Sequence, residues 1–415
     1  MHDLGQRGLR LEEEIMSSFL FATLDAGGNL PPPLGIGREL LRQGHRVRFL
    51  GHAQQATAVE ATGAAFIPYR HAAPLDLAVP APAHRQFAAM LSSFSDAGIG
   101  RDLVAEARRE PPDVVVIDCL LLGAIDAAAK AGLRHVVLVH SFFAFFDGPF
   151  RHAPMGAALT LKGLPPRRVM RHAERVLVCA DPLLDPAGSW DRVSWESHPD
   201  KVAWSGAVVD DVIVARAGTT SAEQLVPAPP PSAAPSSGVS TAGPPPGPPR
   251  VLVSLSSMAF PGQQEVLQKI LDGAAGLPVE LIVTTGAAVD PASLSAPRNA
   301  AVHRYVDHNR IMPGCSAVIC HGGHATSMRA LAHGLPVLVV PMHPMMDQHM
   351  VGKAISTAGA GVLLNRTSSP EQIGAALAAL LASESHRKAA AYIGDRLRRA
   401  AGARAGAQIL ADLAG

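Results

Sequence analysis

The sequence predicts an α/β protein made of two doubly wound domains that face each other. Strand–helix–strand units recur in both halves, glycines close the helices, and an uncharged tract rich in Pro, Ala, Ser and Gly parts the halves. A chain of 415 residues, 48% of them hydrophobic, exceeds one ordinary domain and can bury two sizeable cores.

The elements follow in order. Residues 1–16, with Glu12, Glu13 and Glu14 in a row, are wrong for a secretory signal and read as an extension. Residues 19–24 (Phe-Leu-Phe-Ala-Thr-Leu) form a buried strand. Asp25-Ala-Gly-Gly-Asn29 makes a turn, and the prolines at 31–33 open a helix, where a missing N–H costs little. Helical apolar spacing over 34–43 stops at Gly44. Residues 46–51 are the next strand and complete a βαβ unit. Strand 113–118, helix 122–131 (capped by Gly132) and strand 135–140 repeat the pattern. Runs at 251–256, 279–284, 317–320 and 336–341 read as a second parallel set. Residues 226–249 carry no charge and almost nothing to bury, so no core offsets the entropy of ordering them. The expected layout is a Rossmann-like domain over 17–225, a linker or disordered loop over 226–249, and a second Rossmann-like domain with a C-terminal helix over 250–415.

Composition excludes several functions. The formal net charge is +1 with signs mixed, so no basic stripe announces nucleic acid or an anionic membrane. No apolar run is long enough for a membrane span. Cys119, Cys179, Cys315 and Cys320 form no CxxC pair and fit a reducing, cytoplasmic compartment. Cys315, Cys320, His321 and His324 invite a zinc reading. Cys320, however, closes an apolar run, and adjacent Cys–His ligands match no usual zinc spacing, so buried structural cysteines are expected. No Asp-x-Asp pair offers a divalent-metal site.

The strongest motif spans 317–348. A strand ends in His321-Gly322-Gly323-His324, a helix follows over 325–333, and Gly334-Leu335-Pro336 leads into a strand, Pro341 and Asp347-Gln348. A glycine-rich strand-to-helix turn leaves backbone N–H groups free at a helix N-terminus, where the dipole favours anions. Thr326 and Ser327 add hydroxyls to the first turn, as donors or as caps. His321 can donate to a diphosphate oxygen.

This combination resembles the nucleotide-sugar-dependent glycosyltransferases of the GT-B fold, particularly family-1 enzymes of bacterial natural-product pathways. The matching residues are His321-Gly-Gly, Thr326-Ser327, Ala330-Leu331 with Gly334 and Pro336, Pro341, and Asp347-Gln348. Val251 to Ser257, Tyr305-Val306-Asp307-His308 and Gly44-His45-Arg46-Val47 extend the likeness over nearly the whole chain from Ser17. The resemblance implies a GT-B architecture with an acceptor half (17–225) and a donor half (250–415). It implies that His321 and the backbone of Gly323, His324, Ala325 and Thr326 hold a diphosphate, with Ser256 and Ser257 opposite. Val306 would pair with the base through its backbone, and Asp347 and Gln348 would bind the donor sugar's hydroxyls. The alternative for the last two is a loop or helix cap.

Two departures bear on mechanism. Arg329 stands where many relatives carry a ribose-binding glutamate, and it cannot accept a hydrogen bond, which tilts the donor toward a TDP-sugar. Asn29 falls where the family places its general-base histidine, while the partner aspartate survives as Asp118. An asparagine amide cannot take a proton at neutral pH, so Asp118, Asp25 and His140, each near a C-terminal strand end, are the candidates, with Asp118 preferred. Phe142, Phe143, Phe145, Phe146 and Phe150 cluster just after a strand end; they are either ordinary core or the wall of an apolar acceptor pocket, with Phe142, Phe143 and Phe146 taken as acceptor contacts.

The resulting expectation is an inverting, metal-independent glycosyltransferase that needs no cofactor beyond its nucleotide-sugar co-substrate. Its partners are that donor and a small apolar acceptor, with room for a homodimer. A nucleotide-sugar epimerase and a non-catalytic GT-B-like partner protein are the alternatives; Asn29 keeps the latter open.

Overall fold

The computed structural model describes residues 16–190, 201–209, 247–256 and 258–415. Its first sheet holds β1 (Ser18–Ala22), β2 (Arg46–Gly51), β3 (Ala65–Pro68), β4 (Val114–Asp118), β5 (His135–Val139), β6 (Arg175–Val178) and β7 (Val202–Trp204), in the order β3-β2-β1-β4-β5-β6-β7. The second holds β8 (Arg250–Ser254), β9 (Glu280–Thr284), β10 (Ala300–His303), β11 (Ala317–Cys320), β12 (Val337–Val339) and β13 (Gly361–Leu363), ordered β10-β9-β8-β11-β12-β13. Every pairing is parallel. The predicted fold class is the observed one.

The central strands β1, β4 and β5 are buried along their whole length, as helices on both faces require, which is why they read as continuous apolar runs. The edge strands β3 and β10 are only partly covered and β13 is three residues long. Such strands carry little periodic signal, and none of the three was anticipated. The helix Pro31–Arg42 has proline in its first turn and is followed by Gly44 at φ +90°, as its sequence foretold.

Strand order reverses at β1/β4 and at β8/β11. Connections leave these strands in opposite directions, which opens a crevice beyond their C-terminal ends. Both crevices give onto one cavity, lined by residues that follow β1, β4 and β5 on one side and β8, β9, β11 and β12 on the other.

The C-terminal helix requires a correction. Helix Glu384–Ala400 packs on helix His324–Ala332 of the second half, but Ala401 turns the chain at φ +46° and helix Gly402–Ala414 crosses to helix Pro31–Arg42. There Ala407 and Leu410 join the core of Leu34, Ile36 and Leu40. By packing, this helix belongs to the first half. Arg396 secures the crossing with a forked ion pair to Asp181 at 2.7 and 3.0 Å. Most of the proposed linker (226–246) and residues 1–15 of the proposed extension lie outside the described residues. Among the described residues, no helix is long and apolar enough to cross a membrane.

Candidate functional site

The polar wall of the cavity starts where β11 ends. The chain turns through His321, Gly322 and Gly323 into helix His324–Ala332. Gly322 sits at φ +87°, and a Cβ there would lie 2.5 Å from the Gln348 carbonyl oxygen, so only glycine fits. No side chain caps this helix, and Gly323, His324, Ala325 and Thr326 line the cavity where its first-turn amides are open. Ser327 is different: fully buried, it lies 3.5 Å from the Cys320 thiol.

His321 leans on Phe260, and His324 is 7% exposed; among the described residues the buried His321 Nδ1 and His324 Nε2 have no hydrogen-bond partner. Burial lowers His321 to about 4, and burial with the nearby His140 lowers His324 to about 3. Both rings are neutral at pH 7, so each offers a donor and an acceptor. Ser256 lines the facing wall and accepts from the Met258 N–H at 2.9 Å. The Val306 side chain is buried in the core, while its neighbours Tyr305 and His308 line the cavity. Ser257 lies outside the described residues.

Gln348 and Asp347 behave differently. The Gln348 Oε1 accepts from Met342 N at 2.7 Å and His343 N at 3.0 Å, fixing the loop after β12. Asp347 precedes helix Gln348–Thr357 without a capping bond, so a simple cap is not its role. Instead it accepts from the buried Ser141 Oγ of the first half at 2.5 Å. Burial raises its pKa above the usual carboxylate range, against the Ser141 bond and His140.

On the other side, Asn29 is 2% exposed and fully engaged. Its Oδ1 accepts from Ala26 N at 2.9 Å, and its Nδ2 donates to Leu24 O at 2.9 Å and Asp118 Oδ2 at 3.1 Å. Asp118, 3% exposed, also accepts from Leu120 N at 2.9 Å and does not line the cavity. His140 does line it, with Nδ1 3.4 Å from Asp118 Oδ2. Asp25 does not line it; its carboxyl is raised by burial and sits near His52 and Asp76. Asp118, Cys119 and His140 bring potential ligand atoms within 4.8 Å of one another. Burial pushes the Cys119 thiol well above its ordinary pKa.

The family model of the erythromycin biosynthesis protein CIII-like C-terminal domain matches residues 268–405. The chain is 29% identical over 413 residues to 4'-demethylrebeccamycin synthase of Lentzea aerocolonigenes, covering 91% of this chain and 94% of that one. Among solved structures, the glycotransferase of kitacinnamycin superposes with a TM-score of 0.71 at 22% identity, covering 96% of this chain and 99% of the other. Spinosyn rhamnosyltransferase SpnG complexed with thymidine diphosphate gives 0.61 at 20% identity, covering 92% and 96%. SpnG complexed with spinosyn aglycone gives 0.62 at 19%, covering 95% and 100%. The chain has the GT-B fold of these glycosyltransferases.

The fold brings His321, Gly323, His324, Ala325, Thr326, Ser256, Asp347, Gln348, Asn29 and His140 to one cavity. Phe146 lines it as well, with Phe145 and Phe150. Phe142 and Phe143 do not: both are fully buried, Phe142 edge-on to His324 and Phe143 edge-on to Trp204. Phe142 is still extended, and the helix begins only at Phe143, so the four-residue spacing from Phe142 to Phe146 does not put them on one face. Sequence reasoning missed Phe87, Met90 and Phe94, which complete the apolar wall from helix Ala83–Phe94. Their i, i+3, i+7 spacing was a readable stripe, but nothing local showed that it covers this cavity. All four cysteines are free and buried, as expected.

Proposed function

We propose that this glycosyltransferase transfers a sugar from a TDP-sugar to a small apolar aglycone, with inversion and without metal or cofactor. The observation that carries the reading is the juxtaposition in one cavity of an uncapped helix N-terminus flanked by neutral histidines and a wall of phenylalanines and methionines. The acceptor oxygen forms its bond to the anomeric carbon as the bond to the diphosphate breaks. The departing charge meets the open amides and His321, which supply preorganised donors in place of a cation. Asp347 and the Gln348 amide face the sugar. Arg329, which adds positive potential around Tyr305 and His308, supports a nucleotide lacking the ribose 2′-hydroxyl. SpnG, which has been seen with both thymidine diphosphate and an aglycone, supports the same pairing. An epimerase has no use for the apolar wall.

The test is TDP release from a panel of TDP-sugars with and without polyketide-like aglycones, repeated in EDTA. Acceptor-dependent release that EDTA leaves unchanged is expected. Acceptor-independent interconversion of the sugar would indicate an epimerase, nucleotide binding without turnover a partner protein, and rescue by Mg²⁺ or Mn²⁺ a metal enzyme.

A further inference from the structure

We infer that His140, held by Asp118, is the general base of this chain, in place of a residue from the loop after β1. The inference rests on the proposed glycosyl transfer. The loop after β1 does not supply the base: Asn29 has both ends of its amide committed, and Asp25 does not line the cavity. Asp118 cannot act directly, because both carboxylate oxygens are bonded within the protein and it does not line the cavity.

His140 follows β5, the strand next to β4, and its side chain is 14% exposed on the cavity wall. Its Nδ1 faces Asp118 Oδ2 at 3.4 Å, with the Cys119 sulfur at 3.7 Å. That carboxylate favours the tautomer with hydrogen on Nδ1, which leaves a lone pair on Nε2. Among the described residues Nε2 has no hydrogen-bond partner. The ring stands edge-on to Phe146 at 5.7 Å, against the apolar wall, while Asp347 and His324 of the second half lie within electrostatic reach. An imidazole between the acceptor wall and the sugar-binding loop is where a base must be.

In the step, Nε2 takes the acceptor hydroxyl proton while the oxygen bonds to the anomeric carbon and the diphosphate departs with the electron pair. The imidazolium is neutralised by Asp118, a positioning residue that Asn29 holds by the same oxygen. The groups around His140 are Asn29, Asp118 and Cys119 from the first half and His324 and Asp347 from the second.

The experiment compares wild type, His140→Gln, His140→Ala and Asp118→Asn on an aliphatic-alcohol acceptor and on a phenol, with TDP affinity as control. Wild-type kcat/KM for the alcohol should fall on the acid side of neutrality. His140→Gln should lower kcat for the alcohol by about 10²–10³-fold and for the phenol by less, with TDP affinity within about twofold. Added imidazole should partly restore His140→Ala, and Asp118→Asn should move the acid limb. A wild-type profile without that limb, or a His140→Gln enzyme of undiminished kcat on the alcohol, would overturn the assignment of the base alone. A wild-type protein that transfers no sugar would overturn the transferase reading beneath it.

Discussion

The loops after β8, β9, β11 and β12 and those after β1, β4 and β5 meet at one cavity, yet they are built on different chemistry. The first group presents backbone amides, hydroxyls and two neutral histidines around a turn that only glycine can make. The second presents aromatic and methionine side chains drawn from several segments, with one histidine–carboxylate pair at its polar edge. An anion needs donors at fixed positions, and backbone supplies them wherever the chain turns. An apolar acceptor needs shape and area, which only side chains from distant segments provide. The difference teaches that one half of the site is a property of a loop and the other a property of packing.

The largest expected effect tests which phenylalanines belong to core. Phe142→Ala removes a fully buried ring against His324 and should cost about 3–5 kcal/mol in denaturant unfolding. A cost near zero would return Phe142 to the acceptor wall.

The next concerns pH. His321 and His324 titrate near 4 and 3 when folded, against an ordinary value of about 6.5, so below 6.5 the unfolded chain binds more protons than the native one. Their contribution is complete above about pH 6.5 and is lost as pH falls toward 4, on the order of 2 kcal/mol each by pH 5. Unfolding free energies at pH 7 and 5 should therefore drop less in His321→Gln than in wild type. An equal drop would mean that the ring is not buried neutral.

The smallest effects form a crossed pair. His321→Ala should weaken TDP binding in calorimetry by about 1–3 kcal/mol and leave acceptor KM alone. Phe87→Ala, half-buried on the opposite wall, should raise acceptor KM by about 1–2 kcal/mol and leave TDP affinity alone. If either variant moved both quantities, the division of the cavity would be blurred.

Much of the cavity's polar wall was legible because its demands are local. Gly322 is required by its own φ and by one carbonyl, and the uncapped helix follows from the residues beside it. Gln348 was singled out from sequence and lines the cavity, although its side-chain oxygen holds the loop itself. Asp118 was placed opposite Asn29 from sequence, and the two are hydrogen-bonded. What no local pattern carried was that Asp118 is sealed off while His140 stands open beside it.

By itself the sequence determined two parallel sheets, since buried central strands demand unbroken apolar runs and helices between them demand glycine stops. It also determined an amide-lined turn at 321–326, since glycine is the residue that fits that backbone. Tertiary structure decided that Phe145, Phe146 and Phe150 rather than Phe142 and Phe143 meet the cavity. The chain leaves helical geometry at Gly148, and the direction of each ring depends on that local path and on partners such as Trp204 and His324. It decided that helix Gly402–Ala414 returns to the first half, because a helix's apolar stripe specifies that it be covered, not by which surface. It also paired His140 with Asp118, because their atoms meet only when β4 and β5 lie side by side.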